Sequence, residues 1–142
     1  MKAKGFTLIE LMIVVLIVAI LAAVAVPLMR GRVDAAKWSE AKAAMGTIAT
    51  AIRAYHAEKG PNGTAPTTAL MFTQGDGGLG FAAGDLNGTY FVDGDYAISV
   101  TSMDPLAFTI TATPSTADAP SNLASVTLNS SGTWTEAAPA AG

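Results

Sequence analysis

The sequence of 142 residues contains no cysteine and a single histidine, His56. Without cysteine the chain cannot hold disulfide bridges, thiolate metal sites or a cysteine nucleophile. One histidine is too few for a histidine metal cluster, and the sequence singles out no serine and aspartate that would complete a catalytic triad. We therefore expect no enzyme activity, and we interpret His56 as a solvated side chain beside an apolar stripe.

Basic residues are absent after Lys59, although the formal net charge of the chain is only −3. Residues 1–59 hold all eight lysines and arginines against four acids, a net charge of +4, whereas residues 60–142 hold seven acids, a charge of −7. The acidic half repels phosphate, so we expect it not to bind nucleic acid.

Apolar residues, in contrast, are abundant near the N-terminus: from Phe6 to Val26 only Thr7 and Glu10 are polar. A helix of these 21 residues is about 30 Å long, enough to cross a bilayer. The apolar region of a secretory signal peptide is shorter and is followed by a cleavage site, whereas here an amphipathic pattern follows. The run therefore predicts a membrane-spanning helix, in which the charge of Glu10 is costly unless it is paired.

The stretch Lys4-Gly5-Phe6-Thr7-Leu8-Ile9-Glu10-Leu11-Met12 joins a short basic leader to a glycine, a phenylalanine and a glutamate four residues later. Pro27 follows Phe6 by 21 residues. This pattern resembles the processing and assembly motif of type IV pilins and of the pseudopilins of type II secretion. The resemblance covers about residues 1–58 and is only architectural beyond them.

The resemblance implies that a prepilin peptidase cuts between Gly5 and Phe6 and then methylates the new amine of Phe6. It implies that Glu10 pairs with that amine on a neighbouring subunit during assembly. The implied partners are the peptidase, the inner-membrane assembly machinery, membrane lipid before assembly, and other copies in a homopolymer or a mixed pilin filament. The implied location is the bacterial inner membrane for the precursor, then an extracellular filament or a periplasmic pseudopilus.

An amphipathic pattern continues the helix to the Gly60-Pro61 stop signal. Its apolar stripe recurs every three or four residues and needs a partner surface, which we expect to be a sheet in the head. Pro27 and Gly31 predict a kink or a locally melted stretch between the two parts of the helix. The stripe consists of Trp38, Ala41, Met45, Ile48, Ile52 and Tyr55.

Residues 60–88 are rich in glycine and predict a surface loop with a short helical turn at Thr67–Phe72. Alternation then predicts strands: Thr89–Val92 and Asp95–Thr101 flank a hairpin turn at Asp93-Gly94. Further strands are predicted at Phe108–Thr113, Ser125–Asn129 and Thr133–Glu136, the last two around Ser130-Ser131-Gly132. We predict an α+β fold in which a small antiparallel sheet packs on the second half of a long helix. The predicted segments are a leader at 1–5, a transmembrane helix at 6–29, its amphipathic continuation at 30–59 and a head at 60–142.

Metal binding is not expected, although Asp93 and Asp95 offer oxygen ligands of the kind that calcium takes. Pseudopilins of type II secretion often hold calcium in their C-terminal loop, but their usual Asp-Pro-Trp-Gly stretch is missing here, and Asp104-Pro105-Leu106-Ala107 is a poor substitute for it. We expect no cofactor and interpret the two aspartates as flanking a turn.

The favoured hypothesis is a structural subunit that polymerises through its N-terminal helix into a type IV pilus filament. Two alternatives remain open at this point. The chain is a pseudopilin of a type II protein secretion system, or it is an adhesin or binding module on a membrane anchor.

Overall fold

The computed structural model describes residues 5–74 and 78–139. The first four residues of the predicted leader and the glycines at 75 and 77 lie outside the described residues. The chain divides into two compact units, Met1–Val33 and Asp34–Gly142. The helices are α1 (Leu8–Lys59), α2 (Thr68–Met71) and a short 3-10 helix (Asp93–Asp95); the strands are β1 (Tyr96–Met103), β2 (Leu106–Ala112), β3 (Ser125–Asn129) and β4 (Trp134–Ala137).

The described part of the first unit is the start of α1 and the three residues before it, and all of its side chains are exposed. The helix is continuous through Pro27 and Gly31, so the locally melted stretch expected there is wrong for this structure. A proline removes a single backbone donor, and the strong helix formers on both sides maintain the turn. A kink at these two residues stays a prediction.

The second unit packs the rest of α1 on a sheet, which confirms the predicted α+β class. All six residues of the apolar stripe are buried, together with Ala49. They meet side chains that point to one face of the sheet, since alternate residues of β2 and β3 are buried. The sheet and loop residues of this core are Met71, Leu86, Phe91, Tyr96, Ile98, Phe108, Ile110, Ala112, Val126 and Leu128.

The four strands lie in the order β1-β2-β3-β4, and each neighbouring pair is antiparallel. β3 has the bounds predicted for it, and the predicted hairpin around Gly132 is confirmed, with a positive φ of 83° at that glycine. β4 is fully exposed along its length. The helical turn expected at Thr67–Phe72 is confirmed as α2, and α1 ends at Lys59 ahead of Gly60, whose φ is 72°.

The hairpin predicted at Asp93-Gly94 is wrong, because these residues belong to the 3-10 helix and residues 89–92 form no strand. β1 pairs instead with β2, through a turn at Asp104-Pro105. The reason lies in the backbone donors. The N–H groups of Thr89, Tyr90 and Phe91 all bond a side chain of α1, so they are not available to a strand partner.

That side chain is Glu40, whose two carboxylate oxygens accept the three backbone N–H groups at 2.8–3.0 Å. The contact seats Phe91 in the core, 5.1 Å between ring centroids from Trp38. Gly88 allows the close approach, since a Cβ there would overlap the Glu40 carboxylate. Burial opposes ionisation of Glu40, but the three N–H bonds outweigh it and hold the pKa of this carboxyl below its usual range.

We expect Glu40→Gln to destabilise the head by about 1–3 kcal/mol at neutral pH, because it replaces a charged acceptor of three backbone N–H groups, two of them partly buried, by a neutral amide. The pKa of Glu40 in the folded chain lies below the ordinary value of 4.5. The stabilisation that ionised Glu40 gives the folded head is therefore fully present above pH 4.5, and it is lost as the pH falls through the folded-state pKa. Urea unfolding of the full chain in detergent micelles, followed by tryptophan fluorescence between pH 3 and 7, measures both effects.

Glu58→Gln is the matched control, since Glu58 is exposed and, among the described residues, bonds its sequence neighbour Lys59 alone. An unchanged unfolding free energy in Glu40→Gln at pH 7 would contradict the assigned role of Glu40.

Candidate functional site

Gly5 and Phe6 precede α1 and belong to no helix or strand. Phe6 is 86% exposed, and no atom lies within 4 Å of where a Cβ on Gly5 would stand. The folded chain therefore gives no steric reason for glycine at position 5. The peptide bond between these residues is accessible to an enzyme that binds an extended backbone.

Thr7 and Glu10 cap the N-terminus of α1 through two reciprocal hydrogen bonds between side chain and backbone. The Thr7 hydroxyl oxygen accepts the backbone N–H of Glu10 at 3.3 Å, and Glu10 Oε2 accepts the backbone N–H of Thr7 at 2.9 Å. The hydroxyl of Thr7 also lies 2.7 Å from the same Oε2 and donates to it. This is a capping box, in which the first and fourth residues satisfy each other's free backbone donors.

The sequence reasoning missed Thr7, although the signal was present. A threonine followed three residues later by glutamate at the start of an apolar run is the usual signature of this cap. The sequence reasoning considers only a partner for Glu10 on a neighbouring subunit, whereas the structure gives it a partner in the same chain, Thr7. Thr7 fixes the position of the Glu10 carboxylate relative to the neighbouring residue Phe6.

The second carboxylate oxygen of Glu10, Oε1, makes no hydrogen bond within the described residues. The side chains around it are apolar and exposed: Leu8, Ile9, Leu11 and Met12 are each at least 60% exposed. An acceptor in this setting gains most from a cationic donor supplied from outside the chain. The arrangement can hold an amine.

The helix that carries this site is long and apolar enough to cross a membrane. Within α1 a window of 18 residues has a mean hydropathy of 3.2, and none of it is buried in the structure. A core helix of a soluble protein would be mostly buried, so that explanation does not apply here. Pro27 and Gly31 lie farther along the same helix and do not approach the site.

The aspartates considered for calcium bond the backbone instead. Asp93 accepts the N–H of Leu86 at 3.0 Å and also that of Gly84, and Asp95 accepts the N–H of Val92 at 2.9 Å. Among residues 5–74 and 78–139 no group of three or more acids or histidines is placed to hold a metal ion.

The pKa of the Tyr96 hydroxyl is raised above its ordinary value. The larger cause is burial of the side chain, and the smaller one is the negative charge of the nearby carboxylates of Glu40, Asp95 and Asp93.

The interpretation of His56 as a solvated side chain is wrong. It is half-buried, and its Nε2 lies 2.8 Å from the carbonyl oxygen of Met103. The histidine thus ties the end of α1 to the end of β1. Periodicity could place His56 beside the stripe, but it could not show which carbonyl group lies opposite.

Comparison with known proteins matches residues 1–26 to the family model described as the prokaryotic N-terminal methylation motif. The chain carries the prepilin-type motif. The match spans the segment in which Gly5, Phe6, Thr7 and Glu10 lie together, so the residues named from the sequence and the cap found in the structure belong to one motif.

Two curated proteins are similar to part of this chain. Fimbrial protein EcpC of Eikenella corrodens is 47% identical over 57 residues, which are 40% of this chain and 37% of that protein. Type II secretion system core protein G of Pseudomonas aeruginosa is 51% identical over 54 residues, 38% of each chain. The chain thus covers less than two fifths of the length of these relatives. No solved structure matches it.

We expect Thr7→Val to fray the first turn of α1, because valine keeps the shape of threonine but removes the capping oxygen. The expected loss of local helix stability is about 0.5–2 kcal/mol. Amide hydrogen exchange of residues 8–11 in detergent micelles measures the loss. Thr7→Ser, which retains the hydroxyl, serves as the control. Equal protection in Thr7→Val and the original chain would show that the cap does not hold the helix start.

Proposed function

We propose that the prepilin-type chain is a structural subunit that polymerises through its N-terminal helix into a type IV pilus filament. A prepilin peptidase cleaves it between Gly5 and Phe6 and methylates the Phe6 amine. The single observation that carries the proposal is the exposed Glu10 carboxylate, which Thr7 holds close to Phe6 and whose Oε1 makes no hydrogen bond within residues 5–74 and 78–139. Its surroundings support the same role, since the apolar helix around it is exposed throughout.

Cleavage after Gly5 creates a positive amine on Phe6, four residues before Glu10. A second copy that is shifted by about one helical turn, roughly 6 Å, brings its own amine level with this carboxylate. The pair neutralises a carboxylate that is costly in a lipid environment, and so favours the assembled state over the isolated subunit. In the same step the apolar side chains of α1 exchange lipid for neighbouring helices.

The cellular route follows from these roles. The precursor lies in the bacterial inner membrane with its N-terminus toward the cytoplasm, where the peptidase and the assembly machinery act. The assembled filament is extracellular and displays the acidic head. The proposed subunit has no catalytic function of its own.

Glu10→Ala tests the proposal. We expect filaments to decrease about tenfold or more, since each contact along the filament loses its charge pair. Cleavage at Gly5 should continue, because the cut precedes assembly. Sheared surface fractions, quantified by immunoblot and electron microscopy, measure filament yield, and mass spectrometry of the membrane fraction measures cleavage.

Glu58→Ala removes an exposed acid of the same helix and should leave yield unchanged. Normal filaments in Glu10→Ala would overturn the assembly role and favour a membrane-anchored adhesin or binding module.

A pseudopilin of type II secretion is the second candidate, favoured by the similarity to core protein G. Deletion of the gene distinguishes the two functions. Loss of surface filaments with unchanged protein secretion supports the pilus, whereas loss of secreted proteins from the culture supernatant supports the pseudopilin.

A further inference from the structure

The head contains the same three residues, Asn-Gly-Thr, at two places: Asn62-Gly63-Thr64 and Asn87-Gly88-Thr89. An asparagine followed by glycine is chemically reactive, because glycine has no side chain to hinder its backbone nitrogen and lets the backbone bring that nitrogen onto the asparagine amide. Both asparagines are exposed to solvent. Neither the triplet nor its exposure distinguishes the two sites, so a difference in their reactivity must come from how the fold holds them.

The fold holds Asn87 through both of the groups that would react. Its side-chain oxygen accepts the backbone N–H of Asp93 at 2.8 Å, and the N–H of Gly88 donates to the carbonyl oxygen of Phe91, also at 2.8 Å. The N–H groups of the next three residues bond Glu40, and Phe91 is buried. Bringing the Gly88 nitrogen onto the Asn87 amide therefore breaks several hydrogen bonds and loosens part of the core.

Asn62 is held by fewer contacts. Within residues 5–74 and 78–139 its side chain makes no hydrogen bond. The N–H of Gly63 bonds the carbonyl oxygen of Gly60 across the turn at 3.1 Å, and none of residues 60–63 is buried. Freeing the Gly63 nitrogen breaks this one backbone bond, and local openings of exposed turns have the lowest free energies in a folded protein.

We propose that Asn62 is a site of spontaneous deamidation in the folded protein and that Asn87 is protected from it. The backbone nitrogen of Gly63 attacks the side-chain carbonyl carbon of Asn62. A C–N bond forms, the bond from that carbon to the amide nitrogen breaks, and ammonia leaves with the proton of the Gly63 nitrogen. Water then opens the cyclic imide at either carbonyl carbon, so that one water is consumed for each ammonia released. The products are aspartate and isoaspartate.

The modification changes the head in two ways. Each conversion adds a negative charge to residues 60–142, which contain no lysine or arginine. Isoaspartate also routes the main chain through its side-chain carbon, which lengthens the turn just after α1 ends at Lys59. The head therefore acquires with time a second, more acidic form that differs from the newly made chain at the end of the long helix.

Ageing of the purified full chain in detergent micelles at mildly alkaline pH tests the proposal. Chymotrypsin separates the two sites, because aromatic residues such as Phe72 lie between them, and mass spectrometry of the peptides measures conversion of amide to acid at each asparagine. We expect Asn62 to convert at least about tenfold faster than Asn87, since reaction at Asn87 requires a larger opening of the fold. Asn62→Gln should remove the fast signal, because the longer side chain forms a cyclic imide far more slowly.

The same chain unfolded in guanidinium chloride is the matched control. The two identical triplets should then convert within about threefold of each other, because the fold no longer restrains either of them. Glu40→Gln gives an independent readout: it loosens residues 89–91, and should speed conversion at Asn87 about threefold or more while leaving Asn62 unchanged. Equal rates at the two asparagines of the folded chain, or a rate at Asn87 that does not respond to Glu40→Gln, would overturn the proposal.

Discussion

The exposed apolar surface at the start of α1 is the constraint on which the rest of this molecule depends. None of the described side chains before Asp34 is buried, so lipid or other helices must cover them. The charge of Glu10 lies within this surface, and Thr7 holds one carboxylate oxygen while the other bonds no described residue. In the proposed filament, neighbouring helices cover this surface and neutralise that carboxylate in the same step. A filament of parallel helices satisfies both requirements.

The core of the head is built from one face of the sheet, whose edge strand β4 is exposed, and from a long loop that must be held against α1. Glu40 provides the link, since it reaches from α1 to three successive N–H groups and thereby seats Phe91 against Trp38. The result is a compact unit whose cations all lie along α1, while most of its acids lie in the head and one of them, Asp95, is buried. Charge is thus divided between the helix and the head.

Periodicity predicted the apolar stripe from Trp38 to Tyr55 and the strand Ser125–Asn129, because both patterns record burial directly in the order of residues. It failed at Asp93-Gly94, where the local signal for a hairpin was outweighed by Glu40, about fifty residues earlier in the chain. The same limit applies to His56, since no local pattern reveals that Met103 offers it a carbonyl. Thr7 is the opposite case: its capping signal was local and could have been identified from the sequence.

The account depends most on whether a peptidase cleaves the exposed peptide bond between Gly5 and Phe6, just before α1. Mass spectrometry of the intact protein from cells that contain a prepilin peptidase measures this directly. The account predicts a mature chain that begins at Phe6 and carries one added methyl group on its α-amine. A chain that retains Met1–Gly5 in filament-producing cells, or that begins at any other residue, would contradict it.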